Sequence, residues 1–177
     1  MDWIKIIAQA FGIAGLIFSA LSFQEKNNKK FFIKQGLSGF MFFLNFIMIG
    51  ALSAALFNLT NVIRGGLLAN KEKSVKNLVI IEVLYTACFV FSLIATKISS
   101  LQLFLSLLTF SSLIVMTVFM WKGNGKHIRY VQFAFASPAW IIHNIFNFTL
   151  GGILCEVFAM TSVVISFIRF GKDGFEK

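Results

Sequence analysis

Long apolar runs dominate the chain and alternate with short polar stretches that hold most of the charged residues. A transmembrane helix needs about 20 apolar residues to cross the hydrocarbon core of a bilayer. Measured against that length, the apolar pattern predicts seven transmembrane helices. They cover residues 3–23, 34–50, 53–69, 77–96, 99–121, 128–149 and 152–170, with tight turns expected at 50–54 and 149–152.

Composition supports this all-α, polytopic membrane class. Of the 177 residues, 58% are hydrophobic and only 13% are charged, whereas a soluble domain carries about 25% charged residues. The continuous apolar runs fit helices better than a transmembrane β-barrel, whose strands alternate apolar and polar residues over segments of about ten. Both cysteines, Cys88 and Cys155, lie inside apolar runs and predict no disulfide framework.

The net charge of +9 does not indicate nucleic-acid binding, because the basic residues cluster in the short loops. Cytoplasmic loops of membrane proteins are enriched in Lys and Arg. Seven helices with the N-terminus outside and the C-terminus in the cytoplasm bring 14 of the 16 basic residues to the cytoplasmic side, where the lysines are expected to contact anionic lipid. These residues are Lys26, Lys29, Lys30, Lys34, Arg64, Lys71, Lys73, Lys76, Lys122, Lys126, Arg129, Arg169, Lys172 and Lys177.

An internal repeat is visible when the chain is shifted by 99 residues. Residues 11–45 then lie over residues 110–144 without a gap, and Asn45 meets Asn144. We therefore interpret residues 1–177 as one membrane domain with a first repeat at 8–69, a connector helix at 77–96 and a second repeat at 99–170. One connecting helix between two three-helix units makes the repeats parallel, related by an axis along the membrane normal.

Several polar residues lie within the predicted membrane helices, where facing lipid would be costly. Asn58 and Asn61 are three residues apart and share one face of the third helix. Ser162 matches Asn61 when the third helices of the two repeats are aligned loosely, "TNVI" (60–63) with "TSVV" (161–164). We predict that these three residues line a central cavity and bind substrate.

The segment "SPAWIIHNIFNF" (137–148) adds further candidates. Trp140 is a candidate for stacking on a ligand, with core packing as the alternative. Asn144 is a substrate-binding candidate, and together with Asn45 it either holds the turns or lines a shared cavity. Pro138 is expected to kink the helix.

His143 and Glu156 are candidates for proton handling or gating. They lie in consecutive antiparallel helices, so their side chains can approach each other near the outer face, and a histidine beside a carboxylate can relay protons. The alternative is a structural pair that ties the two helices together. Arg64 and Arg169 end the third and seventh helices, where snorkelling anchors are expected.

Two stretches carry a family resemblance: "AWIIHNIFNFTLGGILCEVFAMTSVVISFIRF" (139–170), with a W-x-x-H-N…G-G-x-x-x-E pattern, and "LFNLTNVIRG" (56–65). Through them the chain resembles the YgjV family of bacterial inner-membrane proteins over nearly its full length. The architecture is also similar to the wider SWEET and PQ-loop group. Pro138 occupies the proline position of that group in the second repeat, whereas Gly39 occupies it in the first. The resemblance implies that polar residues on the third helix of each repeat face a central substrate site.

These observations favour a small inner-membrane transporter or facilitator that moves a small polar metabolite by alternating access. The alternative is a non-transporting structural or receptor-like protein of the same fold. No H-E-x-x-H or G-x-S-x-G motif and no metal-ligand cluster is present in the sequence, so we expect neither an enzyme nor a cofactor. The expected partners are the lipid bilayer and the solute, without nucleic acid, and the class admits a homo-oligomer.

Overall fold

The computed structural model describes residues 3–23, 28–69, 74–97, 99–122 and 125–170, and within these ranges the chain is helical without strands. The helices are α1 (Trp3–Phe23), α2 (Asn28–Met48), α3 (Leu52–Ala69), α4 (Val75–Ala95), α5 (Ser100–Lys122), α6 (Gly125–Val131), a π-helical segment (Gln132–Ala136), α7 (Ser137–Phe146) and α8 (Leu150–Phe170). Because α6, the π segment and α7 are continuous, the described residues form seven helical runs, as predicted. The second run begins six residues earlier than expected. Lys26, Lys71, Lys73, Lys172 and Lys177 lie outside the described residues.

Three of these helices are long and apolar enough to span a membrane: α1 over Trp3–Ser22, α4, and α5. The apolar parts of α2 (Phe32–Met48) and α8 (Leu150–Ile165) are shorter. The remaining runs carry polar side chains that lower their hydropathy, such as Asn58, Asn61 and Arg64 in α3. Polar residues are tolerated at this depth when they face other helices and not lipid.

The helices pack in a ring. Helix α2 packs between α1 and α3, and the continuous α6–α7 run packs between α5 and α8. The ring closes through two further contacts, α1 with α8 and α3 with α5, while α4 packs against α3 and α5. At the α1–α8 crossing the backbones touch: a Cβ added at Gly151 would lie 2.2 Å from the carbonyl carbon of Gly12.

The apolar core lies where α2, α3, α4, α5 and α7 meet. The ring of Phe57 packs against Tyr85 on α4 (6.3 Å between centroids) and Phe110 on α5 (6.2 Å). Phe46 on α2 packs against Trp140 on α7 (6.0 Å). This aromatic packing connects the α4–α5 region to the helices of the ring.

Two matching turns join α2 to α3 and α7 to α8. Gly50 (φ 79°) and Phe148 (φ 53°) both have a left-handed backbone. The amide of the residue after each donates to a carbonyl five residues back, from Ala51 to Phe46 and from Thr149 to Asn144, both at 2.9 Å. The turns therefore correspond at a shift of 98 residues, from Gly50 to Phe148, and not at 99.

Aligned on these turns, Asn45 lies at the position of His143 and Phe46 at that of Asn144, one residue away from the sequence alignment of Asn45 with Asn144. Hydropathy fixes the order of apolar and basic segments, but it does not resolve a one-residue step within a helical turn.

Candidate functional site

The ring of helices encloses a cavity of about 700 Å³. Its lining comes from α1, α2, α3, α5, the α6–α7 run and α8, while none of the lining residues belongs to α4. The polar lining comprises Ser19, Gln35, Ser38, Asn58, Asn61, Arg64, Ser112, Arg129, Gln132, Asn144, Glu156 and Ser162. A cavity of this size and polarity can hold a small polar solute.

All five predicted substrate-binding residues line this cavity: Asn58, Asn61, Trp140, Asn144 and Ser162. Asn58 is buried and donates from Nδ2 to the carbonyl of Ala54, one turn earlier in α3 (2.9 Å). The Oδ1 of Asn61 accepts a hydrogen bond from the hydroxyl of Tyr85 on α4. The structure thus brings the five residues together, while their role in binding stays a prediction.

Asn144 is 2% exposed and its Oδ1 has no hydrogen-bond partner within the described residues. A Cβ added at Gly152 would lie 2.6 Å from this amide, so the absence of a side chain at Gly152 makes room for it. Trp140 is 8% exposed and packs on Phe46. The cavity wall near Asn144 therefore consists of aromatic rings and one amide oxygen without a hydrogen-bond partner among the described residues.

Glu156 belongs to a three-residue cluster between the α6–α7 run and α8. The Ser137 hydroxyl donates to Glu156 Oε2 (2.6 Å), and Gln132 Nε2 lies 3.3 Å from the same oxygen. Gln132 Nε2 also donates to the Ser137 hydroxyl (2.7 Å). Gln132 and Ser137 were not predicted as partners of Glu156, although both carry hydrogen-bond donors within an apolar run.

The π segment is what brings these donors together. The Ser137 amide donates to the Gln132 carbonyl five residues back, a π-helical bond. One extra residue in that turn aligns Gln132 and Ser137 on the side of α8. Pro138 follows directly and has no amide hydrogen to donate, so the irregular turn occurs at the predicted kink position.

His143 lies elsewhere, and the expected contact with Glu156 is replaced by other partners. Its ring is fully buried between Phe46 and Trp140, 5.6 Å from each ring centroid. Its Nε2 lies 3.4 Å from Asn147 Nδ2, and Nδ1 has no partner among the described residues.

The physical reason is the helix register. The close approach of Asn144 to Gly152 places these two residues at the same level. Glu156 therefore lies level with Trp140, about one turn below His143. The role of His143 and Glu156 in proton handling stays a prediction, without a direct contact between them.

Arg64 faces the interior and is not an anchor at the lipid surface. Its Nη1 donates to Thr117 Oγ1 on α5 (3.2 Å), and its side chain lines the cavity. The reason is that α3 is covered by α2, α4 and α5. Arg169 lies in the last turn of α8, and its side chain is outside the described residues.

Asn45 has a structural contact outside the cavity. It is fully buried, and its Nδ2 donates to the carbonyl of Ala8 (2.7 Å), which ties α2 to α1. Asn45 therefore contributes to helix packing beside the α2–α3 turn and does not line the cavity.

The cavity is closed at the end of the bundle that holds the two turns, here called the turn end. Phe46, Asn144 and Gly152 line it there and are buried. On α1, Gln9 braces the second turn, donating to the Phe148 carbonyl (2.8 Å) and accepting from the Leu150 amide (3.1 Å). The α1–α8 crossing lies beside this brace.

The opposite end of the bundle, here called the basic end, is more open. Phe32, Met120 and Ile128 line the cavity there and are half-buried, and Ile165 is exposed. Lys30, Lys34 and Lys126 lie at the same end of their helices. The cavity lining is therefore less covered at the basic end than at the turn end.

A polar cavity inside a ring of apolar helices defines a helical membrane protein with an internal, solute-sized site. No group of three His, Cys, Asp or Glu side chains suited to a metal ion occurs within the described residues. The chain belongs to the bacterial inner membrane protein family Imp-YgjV, whose model matches residues 6–174. No match is found among the curated proteins or the solved structures.

Proposed function

We propose that the protein is a transporter or facilitator of a small polar metabolite across the bacterial inner membrane. The observation that carries the proposal is the polar cavity of about 700 Å³, which is sealed at the turn end and accessible at the basic end. Alternating access requires such a site with one closed and one open side.

The packing order supports two three-helix repeats joined by α4. A two-fold axis along the membrane normal exchanges α1 with α5 and α3 with α8. The α1–α8 contact is then the counterpart of the α3–α5 contact, and both occur. Residues that are 98 positions apart also line the cavity in pairs, for example Asn58 with Glu156 and Arg64 with Ser162. Helix α4 is left as the connector.

The two contacts between the repeats supply a gate at the turn end. One is the Gly12–Gly151 crossing of α1 and α8. The other is the hydrogen bond between the hydroxyls of Ser53 on α3 and Ser106 on α5 (2.7 Å). Rocking the repeats apart at these contacts opens the turn end, which the charge distribution assigns to the outside. The described conformation is then open to the cytoplasm.

A cross-link across this gate tests the proposal. In a chain with Cys88 and Cys155 replaced by Ala, Ser53→Cys and Ser106→Cys bring two thiols to positions whose hydroxyls now lie 2.7 Å apart. Disulfide formation needs Cβ atoms about 3.5–4.5 Å apart, which such a contact allows. Oxidation should stop uptake of any solute found by screening in proteoliposomes, and reduction should restore it.

A matched control is available between α3 and α4. Thr60 Oγ1 lies 3.5 Å from Cys88 Sγ, so Thr60→Cys with the native Cys88 and with Cys155→Ala forms a cross-link that does not join the two repeats. Uptake should survive oxidation of this variant. Full uptake in the oxidised Ser53–Ser106 variant would contradict alternating access through this gate.

The orientation is tested with reporters that are active only in the cytoplasm. A reporter fused after Lys177 should be active, and one fused after Ile98 should be silent. This expectation follows from the positive-inside rule. The reverse result would invert the proposed direction of opening.

A further inference from the structure

We propose that the solute carries a protonated amino group, which Glu156, Asn58 and Trp140 bind in the half of the cavity nearest the turn end. The proposal rests on the proposed function, because it names the chemical class of the solute. Primary amines and amino acids share this group, an ammonium with several N–H donors and a full positive charge.

The three side chains lie at one level of the cavity. Glu156, Asn58 and Trp140 all line it. Each lies six residues from the turn-end terminus of its helix, α8, α3 and α7 respectively, which corresponds to about 9 Å along the helix. The three helices therefore bring a carboxylate, an amide and an indole ring to the same depth below the sealed end.

Two side-chain oxygens at this level lack a donor. Both hydrogen bonds to Glu156 end on Oε2, from the Ser137 hydroxyl (2.6 Å) and the Gln132 amide (3.3 Å), which leaves Oε1 without a donor in the described part of the chain. Asn58 uses its Nδ2 to donate to the Ala54 carbonyl, so its Oδ1 is likewise left as an acceptor. The neighbouring donors are committed to protein acceptors, and an ammonium supplies the donors that these two oxygens need.

Glu156 also supplies negative charge to the site. It is half-buried and lines the cavity, so part of its surface is open to a solute. The two donors on Oε2 stabilise the ionised carboxylate, because charge-assisted hydrogen bonds are stronger than neutral ones. A carboxylate inside a membrane helix is costly unless it is paired. An ammonium provides that pairing, whereas the hydroxyls of a sugar or polyol provide only neutral hydrogen bonds.

Trp140 and Asn144 complete the surroundings of the ammonium. The Trp140 ring is packed against Phe46 (6.0 Å between centroids) and edge-on to His143 (5.6 Å), so its orientation is fixed. Tryptophan is the strongest aromatic partner for a cation that lies over its face. One turn closer to the turn end, Asn144 adds an oxygen without a hydrogen-bond partner among the described residues.

The two arginines that line the cavity lie nearer the basic end. Arg64 comes twelve residues after the start of α3, about 18 Å from the turn end. It donates to Thr117 and interacts electrostatically with Glu82 on α4. Arg129 lies in α6, four residues after the first residue of that helix. Of the described charged residues in the lining, Glu156 is therefore the closest to the turn end, and its level contains no arginine.

The binding test uses the full chain in lipid nanodiscs, with Trp3→Phe and Trp121→Phe so that Trp140 is the fluorescent reporter. Methylammonium is the first probe, because it is the smallest amine that keeps N–H donors. Glycine, tetramethylammonium and glycerol are titrated separately, at an ionic strength held constant with sodium chloride. We expect a saturable change with methylammonium or glycine, weaker binding of tetramethylammonium, which has no N–H, and none of glycerol. The methylammonium and glycine arms separate a simple amine from an amino acid.

Variants link the signal to the carboxylate. Glu156→Gln keeps an acceptor for Ser137 but removes the charge, so it should weaken binding of methylammonium or glycine by about tenfold or more. Adding Asn58→Asp to this variant returns a carboxylate at the same level and should restore part of the affinity, a rescue that a purely structural role of Glu156 would not give. Asn58→Asp alone should tighten binding, and this arm does not depend on the folding of Glu156→Gln. The matched control is Glu82→Gln, which removes a carboxylate that is absent from the lining and should leave the affinity unchanged.

The outcomes separate the two proposals. Uptake of a screened solute without an amino group, with no binding of methylammonium or glycine, would overturn the inference and leave the transport function standing. Equal affinity in the parent and Glu156→Gln, or tetramethylammonium binding as tight as methylammonium binding, would also overturn the inference. Glu156-dependent binding without flux of any screened amine or amino acid in proteoliposomes would support the ammonium site and contradict transport. If neither methylammonium nor glycine binds, the ammonium site is rejected.

Discussion

Replacing Gly151 with alanine tests the α1–α8 crossing on which the closed end of the cavity depends. A Cβ at this position would lie 2.2 Å from the carbonyl carbon of Gly12, 2.4 Å from its oxygen and 2.7 Å from its Cα. Ordinary van der Waals contact begins at 3.4 Å. The neighbouring atoms are backbone, so they cannot rotate away as a side chain could. Helices α1 and α8 must therefore separate by about 1.2 Å, from 2.2 to 3.4 Å.

The cost follows from this separation. Overpacking a close contact costs typically about 1–3 kcal/mol. For a chain of 150–250 residues, each kcal/mol lowers the Tm by about 2–4 °C. We expect Gly151→Ala to lower the Tm by about 2–12 °C, measured by tryptophan fluorescence on the purified protein in one detergent.

Gly66 in α3 provides the matched control. A Cβ added there meets no atom within 4 Å, and the residue is exposed. Because alanine favours a helix over glycine by about 1 kcal/mol, Gly66→Ala should leave the Tm unchanged or raise it. Equal Tm values for Gly151→Ala and the parent would refute the close crossing and with it the proposed gate at α1 and α8.

Three further substitutions test the surroundings of the cavity. Asn61→Leu removes the acceptor of the buried Tyr85 hydroxyl and should lower the free energy of unfolding by about 1–3 kcal/mol. Adding Tyr85→Phe removes the unpaired hydroxyl, so the double variant should regain thermal stability but not solute uptake. His143→Phe places a larger ring at a fully buried position and should cost about 1–3 kcal/mol. An altered pH profile of uptake in this variant would contradict a purely structural role for the His143 ring. Gly50→Ala forces a Cβ into a left-handed backbone and should cost about 1–2 kcal/mol in thermal unfolding.

The helices were predictable because the period and length of apolar runs report directly on membrane-spanning structure. The turn after α2 was also predicted, near Gly50, where the chain needs a left-handed residue. The start of α2 was not predicted, because the segment from Asn28 to Ile33 includes lysines and was placed outside the apolar run. A helix can continue beyond the hydrocarbon core, and hydropathy does not record that extension.

Three residues of the cavity lining were predictable from the cost of exposing polar groups to lipid and from the family resemblance. Asn58, Asn61 and Ser162 are polar groups in apolar helices and must face inward. The partners of Glu156 were not predictable, because they depend on the π segment, which shifts the helix face by one residue between Gln132 and Ser137. Arg64 was assigned to the lipid surface because its position near a helix end is ambiguous until its neighbours α4 and α5 are known.

Aligning the two turns at a shift of 98 residues shows how the residues at matching positions differ. At this shift, the buried amide of Asn58 corresponds to the carboxyl of Glu156, and Gly39 corresponds to Ser137. A Cβ added at Gly39 would lie 3.1 Å from the carbonyl oxygen of Asn58. The first repeat uses this level of the helix pair for close packing, whereas the second uses it for a hydrogen-bonded acid. The two turns therefore match in their hydrogen bonds, whereas the residues at these matched positions differ in chemistry.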